Sequence, residues 1–268
     1  MKEHLRELIR QERNETGRRN LAREYLQARV LEALQEQGAF MRWAFVGGTA
    51  LRFLYGLPRF SEDLDFSVLH ESREPGFREA IRKVKRVLSL EGYDVSVTLN
   101  DRKTVFSSFV SFPGLLYELD LSQHREQVFS IKLELDTKPP LGSNSTTTIV
   151  RRHVTLNLCH HDKASLMAGK LHAVLSRKWT KGRDLYDLAW YLADPSWPEP
   201  NLSFLNAALQ QSGWKGSTMT TDSWRLQVLE HLKIHNWKQA RDDVLPFLEQ
   251  TRDLELVSFE SLEKLLLQ

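Results

Sequence analysis

The chain has 268 residues, 41% hydrophobic and 27% charged, a composition typical of a globular protein with one large or two smaller domains. Its formal net charge of +2 excludes a uniformly basic nucleic-acid-binding protein, so any basic surface must be local. The single cysteine, Cys159, excludes an internal disulfide, and the charged first residues lack the apolar core of a secretory signal. No apolar stretch approaches the roughly 18 residues of a membrane span. We therefore expect a cytoplasmic protein with no membrane partner.

Residues 1–38 predict an N-terminal helical segment. Apolar residues recur at the helical period on both sides of a break at residues 14–17, and Gly38 is suited to end the second helix. The part of the segment after this break carries four arginines, Arg18, Arg19, Arg23 and Arg29. Two interpretations stay open: a solvated face on a packing helix, or a basic edge that contacts RNA or an acidic partner.

A glycine turn, Gly47 and Gly48 followed by Thr49, comes directly after the apolar run at residues 43–46. Residues 50–55 then have helical apolar spacing. Because no Cβ blocks its approach, a phosphate can reach the backbone N–H groups of such a turn and the N-terminus of the helix behind it. The Thr49 hydroxyl adds a further candidate contact.

Residues 61–68 alternate polar and apolar, which predicts a strand. Asp63 and Asp65 would point to the same face, about 7 Å apart along the strand. Two carboxylates on one face repel each other unless a cation lies between them, and hard oxygen ligands suit Mg²⁺. The alternative is a solvated acidic face after a surface turn. A phosphate-binding turn beside a metal-binding pair indicates phosphoryl chemistry with a nucleotide.

Mixed α/β structure is expected to continue up to residue 158. The strongest strand covers residues 128–137, whose polar face carries Lys132, Glu134 and Asp136. The other expected elements are a loop at 72–76, a helix at 77–90, a hairpin of strands at 94–99 and 104–112, and a short strand at 150–158.

From residue 161 to the end the pattern is helical. A helix over residues 163–176 contains Lys170 and is followed by a charged segment at 177–188. Further helices are expected at 202–209, 224–232, 237–248 and 259–267.

Two groups of residues in this chain resemble one known family. The first group, which includes the glycine turn and the paired aspartates, is similar to the first motif of the AbiEii-type nucleotidyltransferase toxins, in the DNA polymerase β-like superfamily. Its members are Gly47, Gly48, Thr49, Arg59, Ser61, Asp63 and Asp65. The second group is similar to that family's later motifs and contains Lys170, Arg177, Lys181, Arg183, Asp184 and Asp187. The resemblance spans roughly residues 43 to 190, over half the chain.

This resemblance implies an α+β fold. A polymerase-β-like nucleotidyltransferase core, a mixed sheet with flanking helices, would cover residues 39–158, and a C-terminal helical domain would cover 159–268. Asp63 and Asp65 would bind Mg²⁺ or Mn²⁺, with Glu134 as the third carboxylate. Most family members carry aspartate at that position, so the longer glutamate is a departure.

The resemblance also implies roles in nucleotide binding. Gly47, Gly48 and Thr49 would hold the triphosphate of an NTP substrate, while Lys170, with Arg183, would neutralise its phosphates. Asp184 would orient Lys170 or act as a general base, two roles that the sequence does not separate. Arg183 and Asp187 could equally form a helical ion pair at i and i+4.

The implied function is that of the toxin in a toxin–antitoxin or phage-defence system. The enzyme would transfer NMP from an NTP to an RNA, with the 3′ end of a tRNA as acceptor, and would have a cognate antitoxin as partner. Two alternatives are a nucleotidyltransferase that modifies a small molecule such as an antibiotic, and a catalytically silent module that binds nucleic acid or a partner. The intact carboxylates argue against the silent module.

Overall fold

The structure, a computed structural model, describes residues 2–70 and 75–268. The chain divides into two units. Unit 1 comprises Met1–Gly56, Phe60–Pro139 and Thr147–His160, and unit 2 comprises Leu57–Arg59, Pro140–Thr146 and His161–Gln268. The N-terminal helices, which we expected to form a segment of their own, therefore belong to the unit that contains the sheet. The loop expected at residues 72–76 lies mostly outside the described residues.

A mixed seven-stranded sheet forms the centre of unit 1. Its strands are β1 (Trp43–Val46), β2 (Leu64–Val68), β3 (Ser96–Asn100), β4 (Val105–Phe112), β5 (Phe129–Asp136), β6 (Ser145–Arg152) and β7 (Val154–His161). Their order across the sheet is β3-β4-β5-β2-β1-β7-β6. The β1–β2, β3–β4 and β4–β5 pairs are antiparallel, whereas β2–β5 and β1–β7 are parallel. The expected α+β class with a mixed sheet is confirmed.

Helices pack on this sheet through their apolar sides. They are α1 (Lys2–Arg10), α2 (Glu15–Glu36), α3 (Gly47–Tyr55), α4 (Phe77–Leu90) and a single turn, α5 (Leu115–Glu118). The break between α1 and α2 occurs where the side chain of Asn14 accepts a hydrogen bond from the Thr16 N–H and so caps α2. On α4, Ile81, Val84 and Leu88 are fully buried while the charged residues between them face solvent.

The strand expected at residues 150–158 is wrong: a hairpin of β6 and β7 occupies residues 145–161. His153 makes the turn with a φ of 61°, a left-handed conformation that few non-glycine residues adopt. Its Nε2 lies 2.8 Å from Oε1 of Glu24, so a distant contact accompanies the turn. The residues next to His153 include no glycine, proline, asparagine or aspartate that would signal a turn. The polar first half of β6 also lacks apolar alternation, so the sequence pattern did not predict the hairpin.

The arginines of α2 interact with their own chain, as expected for a packing helix. Each of them contacts a backbone carbonyl or a carboxylate of unit 1. The partners are the Glu12 carbonyl for Arg18, the Leu121 carbonyl for Arg19, Glu62 for Arg23, and Glu32 with Glu91 for Arg29. These contacts favour the packing interpretation over a basic edge for RNA.

A buried carboxylate connects α2, α3 and the β6–β7 hairpin. Glu24 is 4% exposed and contacts Arg52, which is 2% exposed. Oε1 of Glu24 also lies 3.0 Å from Nε of Arg152 and 2.8 Å from Nε2 of His153. Burial raises the pKa of Glu24, but the hydrogen bond with His153 and the charges of Arg52 and Arg152 outweigh it and lower that pKa to about 2.

We expect Glu24→Gln to lower the free energy of unfolding at pH 7 by about 3 kcal/mol, because it leaves two arginines at a buried site without their anion. The folded-state pKa lies below the ordinary value of 4.5, so the carboxylate stabilises the fold above pH 4.5 and this contribution is lost as the pH falls towards 2. Urea unfolding between pH 7 and pH 2.5 should therefore show a smaller acid loss in the variant than in the wild type. Glu36→Gln, on the exposed side of α2, is the control, and a change at Glu24 no larger than the control's would contradict the prediction.

Unit 2 is helical, as expected for the C-terminal domain. Its helices are α6 (Lys163–Ser176), α7 (Gly182–Leu192), α8 (Leu202–Gln211), α9 (Trp224–Leu232), α10 (Trp237–Val244) and α11 (Phe259–Leu266). Side chains of Asp162, Asn201, Asn236 and Ser258 cap four of them. The α7 and α10 helices pack so closely that a Cβ at Gly182 would overlap the Ala240 carbonyl. Among the described residues, no helix is both long and apolar enough to cross a membrane.

Candidate active site

One row of residues crosses four strands of the sheet in unit 1. Val46 of β1 pairs with Asp65 of β2, Asp65 pairs with Glu134 of β5, and Glu134 pairs with Ser107 of β4. Paired residues on neighbouring strands lie about 5 Å apart and point to the same side of the sheet. The sheet therefore places Asp65 and Glu134 at neighbouring positions on one face.

The turn at the start of α3 lies against the Asp65 carboxylate. Gly47 has a φ of 81°, and a Cβ built on it would overlap Oδ2 of Asp65. Only glycine fits this position, for both reasons. Gly47 itself is half-buried, whereas Gly48 is buried. The backbone of Gly47 is therefore the accessible part of the turn.

Thr49 has a different place from the one we expected. Its side chain is fully buried, and its hydroxyl donates a hydrogen bond to the backbone carbonyl of Asp63. A phosphate oxygen needs a hydrogen-bond donor, and the hydroxyl proton of Thr49 is already engaged by the Asp63 carbonyl. The phosphate contact expected of Thr49 is thus corrected: Thr49 holds the backbone of the aspartate pair against α3.

A lysine lies among these carboxylates. Nζ of Lys132 is 2.8 Å from Oε1 of Glu134, and both side chains are about one-third exposed, at 33% and 31%. Desolvation lowers the pKa of Lys132, but the hydrogen bond and charge of Glu134 and the charges of Asp63 and Asp65 outweigh it and raise that pKa. Lys132 therefore carries a stable positive charge within the acidic group.

The donor set suits a divalent cation chemically, since Asp63, Asp65 and Glu134 offer only hard oxygen ligands. Within residues 2–70 and 75–268, however, no three carboxylate, imidazole or thiol side chains are grouped closely enough to hold a metal ion. Lys132 engages one oxygen, Oε1, of the Glu134 carboxylate. Metal binding at this group would therefore require the carboxylate side chains to turn towards a common ion.

Unit 2 contains a second charged cluster, made of Lys170, Arg177, Asp184, Asp187 and Arg59. Nζ of Lys170 lies 3.1 Å from Oδ1 of Asp184 and 2.6 Å from Oδ2 of Asp187. Arg59 binds both oxygens of Asp187, at 2.6 Å each, and Nε of Arg177 lies 2.9 Å from Oδ2 of Asp184. Arg59 and Asp187 are 2% and 0% exposed. Three cations and two anions thus lie together, and Lys170 is held between two aspartates.

The environment of Asp184 bears on its two expected roles. Burial raises its pKa, yet the charges of Lys170, Arg177 and Lys181 outweigh burial and lower that pKa to about 2. A carboxylate with so low a pKa is a weak base at neutral pH. The structure therefore favours orientation of Lys170 over proton abstraction.

Arg183 contacts α10 and the residues that follow it. Its backbone N–H donates to Oδ2 of Asp243 at 3.2 Å, and its guanidinium lies over the ring of Phe247 at 4.3 Å. Its Nε is 3.7 Å from the same Asp243 oxygen. Asp187 is bound by Arg59 and Lys170, and the helical pair of Arg183 with Asp187 stays a prediction. Arg183 fastens α7 to α10.

Sequence patterns alone missed Ser107 and undervalued Lys132. Ser107 enters the row only through the pairing of β4 with β5, a register that no local pattern reports. Lys132 could have been found, because residues two apart on a strand share a face and this places it beside Glu134.

The comparisons with known proteins agree with this architecture. The structure is similar to MenT4, the nucleotidyltransferase toxin Rv2826c from Mycobacterium tuberculosis H37Rv, with a TM-score of 0.58 and 17% identity over 100% of this chain and 90% of that one. It is also similar to a candidate nucleotidyltransferase from H. pylori, with a TM-score of 0.52 and 20% identity over 92% of each chain. At these identities the likenesses establish the fold.

A search of curated proteins found no match. The model of the family described as "Nucleotidyl transferase AbiEii toxin, Type IV TA system" matches residues 29–265 of this chain. Since that match covers most of the 268 residues, the chain belongs to the AbiEii family of nucleotidyltransferase toxins from type IV toxin–antitoxin systems and is a nucleotidyltransferase.

Proposed function

We propose that this enzyme transfers a nucleoside monophosphate from an NTP to an RNA acceptor, the 3′ end of a tRNA, in a reaction that depends on a divalent metal. The observation that carries the proposal is the row in which Asp65 and Glu134 pair directly beside the glycine that begins α3. Phosphoryl transfer needs carboxylates for a metal and N–H groups for phosphate at one place, and this row supplies both.

Within this proposal, Asp63, Asp65 and Glu134 would hold Mg²⁺ or Mn²⁺, which would supply electrostatic stabilisation of charge on the phosphates. The accessible backbone of Gly47 binds phosphate oxygens, and Thr49 holds the backbone at Asp63 in position. The acceptor hydroxyl attacks the α-phosphorus and its proton passes to solvent, while a new P–O bond forms and the bond to the leaving pyrophosphate breaks. The chain's own contribution is positioning and charge stabilisation.

We retain Lys170 as the candidate for neutralising the outer phosphates, with Asp184 as the residue that orients it. The excess of one positive charge in their cluster supports an anionic ligand. Arg183 stays a proposed phosphate contact, although its backbone N–H is bound to Asp243 and its guanidinium lies over Phe247.

The exposed side of α4 supports an RNA acceptor. Its solvent-facing residues include five cations and one anion: Arg78, Arg82, Lys83, Lys85 and Arg86, with Glu79. Arg78 pairs with Asp101 and Lys83 with Glu79. Phosphate backbones bind such surfaces through charge alone, with strong salt dependence. A small uncharged acceptor would have no use for this surface.

The test incubates the purified protein with each labelled NTP, Mg²⁺ and total tRNA. We expect label on the RNA. A parallel reaction with aminoglycosides in place of RNA tests the antibiotic-modifying alternative, and label there but not on RNA would overturn the RNA proposal. Absence of transfer to any acceptor under conditions where the nucleotide binds would favour the silent binding module.

The α4 surface has its own test. We expect the double variant Arg82→Glu with Lys85→Glu to raise the KM for RNA at least about tenfold and to flatten its salt dependence, because phosphate contacts are lost. The KM for NTP should stay unchanged. A matched control reverses two exposed lysines of unit 2, Lys215→Glu with Lys238→Glu. Equal effects of the two double variants would show that only net charge matters and would contradict a binding surface on α4.

The family assignment also motivates a proposed biological role, growth inhibition relieved by a cognate antitoxin, in a toxin–antitoxin or phage-defence system. Co-expression with the product of the neighbouring gene tests it: growth should recover with that product and not with an unrelated protein.

A further inference from the structure

We propose that Lys132 is a tethered counter-ion of the active site, whose ammonium occupies the Glu134 carboxylate in the nucleotide-free enzyme and must be displaced before a divalent metal binds there. This inference rests on the proposed function, because it assumes that Glu134 is a metal ligand. Lys132 thus positions the third carboxylate, that of Glu134, and sets the affinity of this site for the metal.

The register of the strands places Lys132 at the centre of the acidic group. Leu64 lies opposite Leu133 and Asp65 opposite Glu134 in the parallel β2–β5 pair, so the position opposite Lys132 is that of Asp63. Lys132 and Glu134 share a face of β5 because they are two residues apart. The ammonium thus has one carboxylate 2.8 Å away and two further carboxylates whose charges act on it.

Charge balance explains why a lysine lies among these carboxylates. Carboxylates gathered on one face repel one another, and a cation among them relieves the repulsion. Lys132 supplies one positive charge from within the chain, while a divalent metal would supply two. The two cations therefore compete for the same anion, and metal binding releases the ammonium.

Exposure shows that the contact between Lys132 and Glu134 can be broken. The two side chains are 33% and 31% exposed, and exposed ion pairs stabilise a fold only weakly. Lys170 in unit 2 is the contrasting case, since its side chain is 11% exposed and lies between two nearly buried aspartates. Lys132 is thus held loosely enough to be displaced, whereas Lys170 is fixed.

Isothermal titration of the nucleotide-free full chain with Mn²⁺ tests the proposal. We expect Lys132→Met to bind Mn²⁺ at least about tenfold more tightly than the wild type, and Lys132→Arg, which keeps a cation, to stay near the wild type. Without metal, Lys132→Met should have a lower Tm than the wild type, and Mn²⁺ should raise its Tm more. Lys103→Met, an exposed lysine in the β3–β4 turn, is the control for a lost surface charge.

The outcomes separate this inference from the function on which it rests. If Lys132→Met and the wild type bind Mn²⁺ equally, the counter-ion role is overturned and the metal site stands. If Lys132→Met gains affinity and a further Glu134→Gln change removes the gain, the competition is located at that carboxylate. If no variant binds Mn²⁺, both the metal site and the counter-ion are overturned. Should Lys132→Met fail to fold, Lys132→Gln serves in the same titration.

Discussion

Asp65→Asn is expected to reduce the rate of nucleotide transfer by at least about 10³-fold. The substitution removes the negative charge at the centre of the active-site row, and the asparagine side chain has nearly the same size as aspartate. Asp65 pairs with Val46 on one side and with Glu134 on the other, and its Oδ2 faces Gly47. One carboxylate therefore contacts both the proposed metal site and the proposed phosphate site. No other residue of the row has this double position.

The measurement is single-turnover transfer of labelled NMP at saturating NTP, together with the Tm of each variant. Asp136→Asn is the matched control, because Asp136 lies on the same face of β5 but pairs with Ser67, one row further along. We expect the control to keep its activity within a few-fold of the wild type. Retention of more than a tenth of the activity by Asp65→Asn, with an unchanged fold, would place the chemistry elsewhere.

Features encoded in a few neighbouring residues could be predicted from the sequence. The helix expected at 77–90 has those bounds in the structure, since its apolar spacing and the flanking glycines Gly76 and Gly92 define both ends. Glu134 was placed beside the aspartate pair by the family resemblance, and local alternation supports only its strand, since β5 alternates buried and half-buried residues whereas β2 is buried at Phe66, Ser67 and Val68. Strong local periodicity therefore predicted single elements such as α4 and β5, but not how the strands pair.

Features that depend on distant contacts could not be predicted. Thr49 looks like a phosphate ligand by its place after the glycines, yet its hydroxyl faces the backbone of Asp63, which only the packing of α3 on β2 reveals. The His153 turn likewise involves Glu24, 129 residues away. The contact of Asp187 with Arg59, 128 residues earlier in the chain, also has no signal in the local sequence. In each case a tertiary partner decides the role of a polar group.

Asp187→Asn is expected to lower the free energy of unfolding of unit 2 by about 3–5 kcal/mol, because it breaks a buried ion pair by removing one partner. Asp187 is fully buried, accepts both bonds from Arg59 and also binds Lys170 at 2.6 Å. The neutral amide leaves the Arg59 guanidinium without its anion. It also removes one of the two carboxylates that bind Lys170. Water cannot compensate at a site of this burial.

Tryptophan fluorescence during urea unfolding measures this effect selectively, since six of the seven tryptophans lie in unit 2 and only Trp43 lies in unit 1. Asp222→Asn, at an exposed position of unit 2, should change stability by less than about 0.5 kcal/mol.

The double variant Arg59→Met with Asp187→Asn should recover part of the loss, because it removes the unpaired cation together with its partner. If the double variant is instead less stable than the sum of the two single changes, the loss reflects packing around Arg59 rather than its charge. If Asp187→Asn costs under about 1 kcal/mol, the pair behaves like a solvated surface bridge, and the burial seen for Arg59 and Asp187 does not hold in solution.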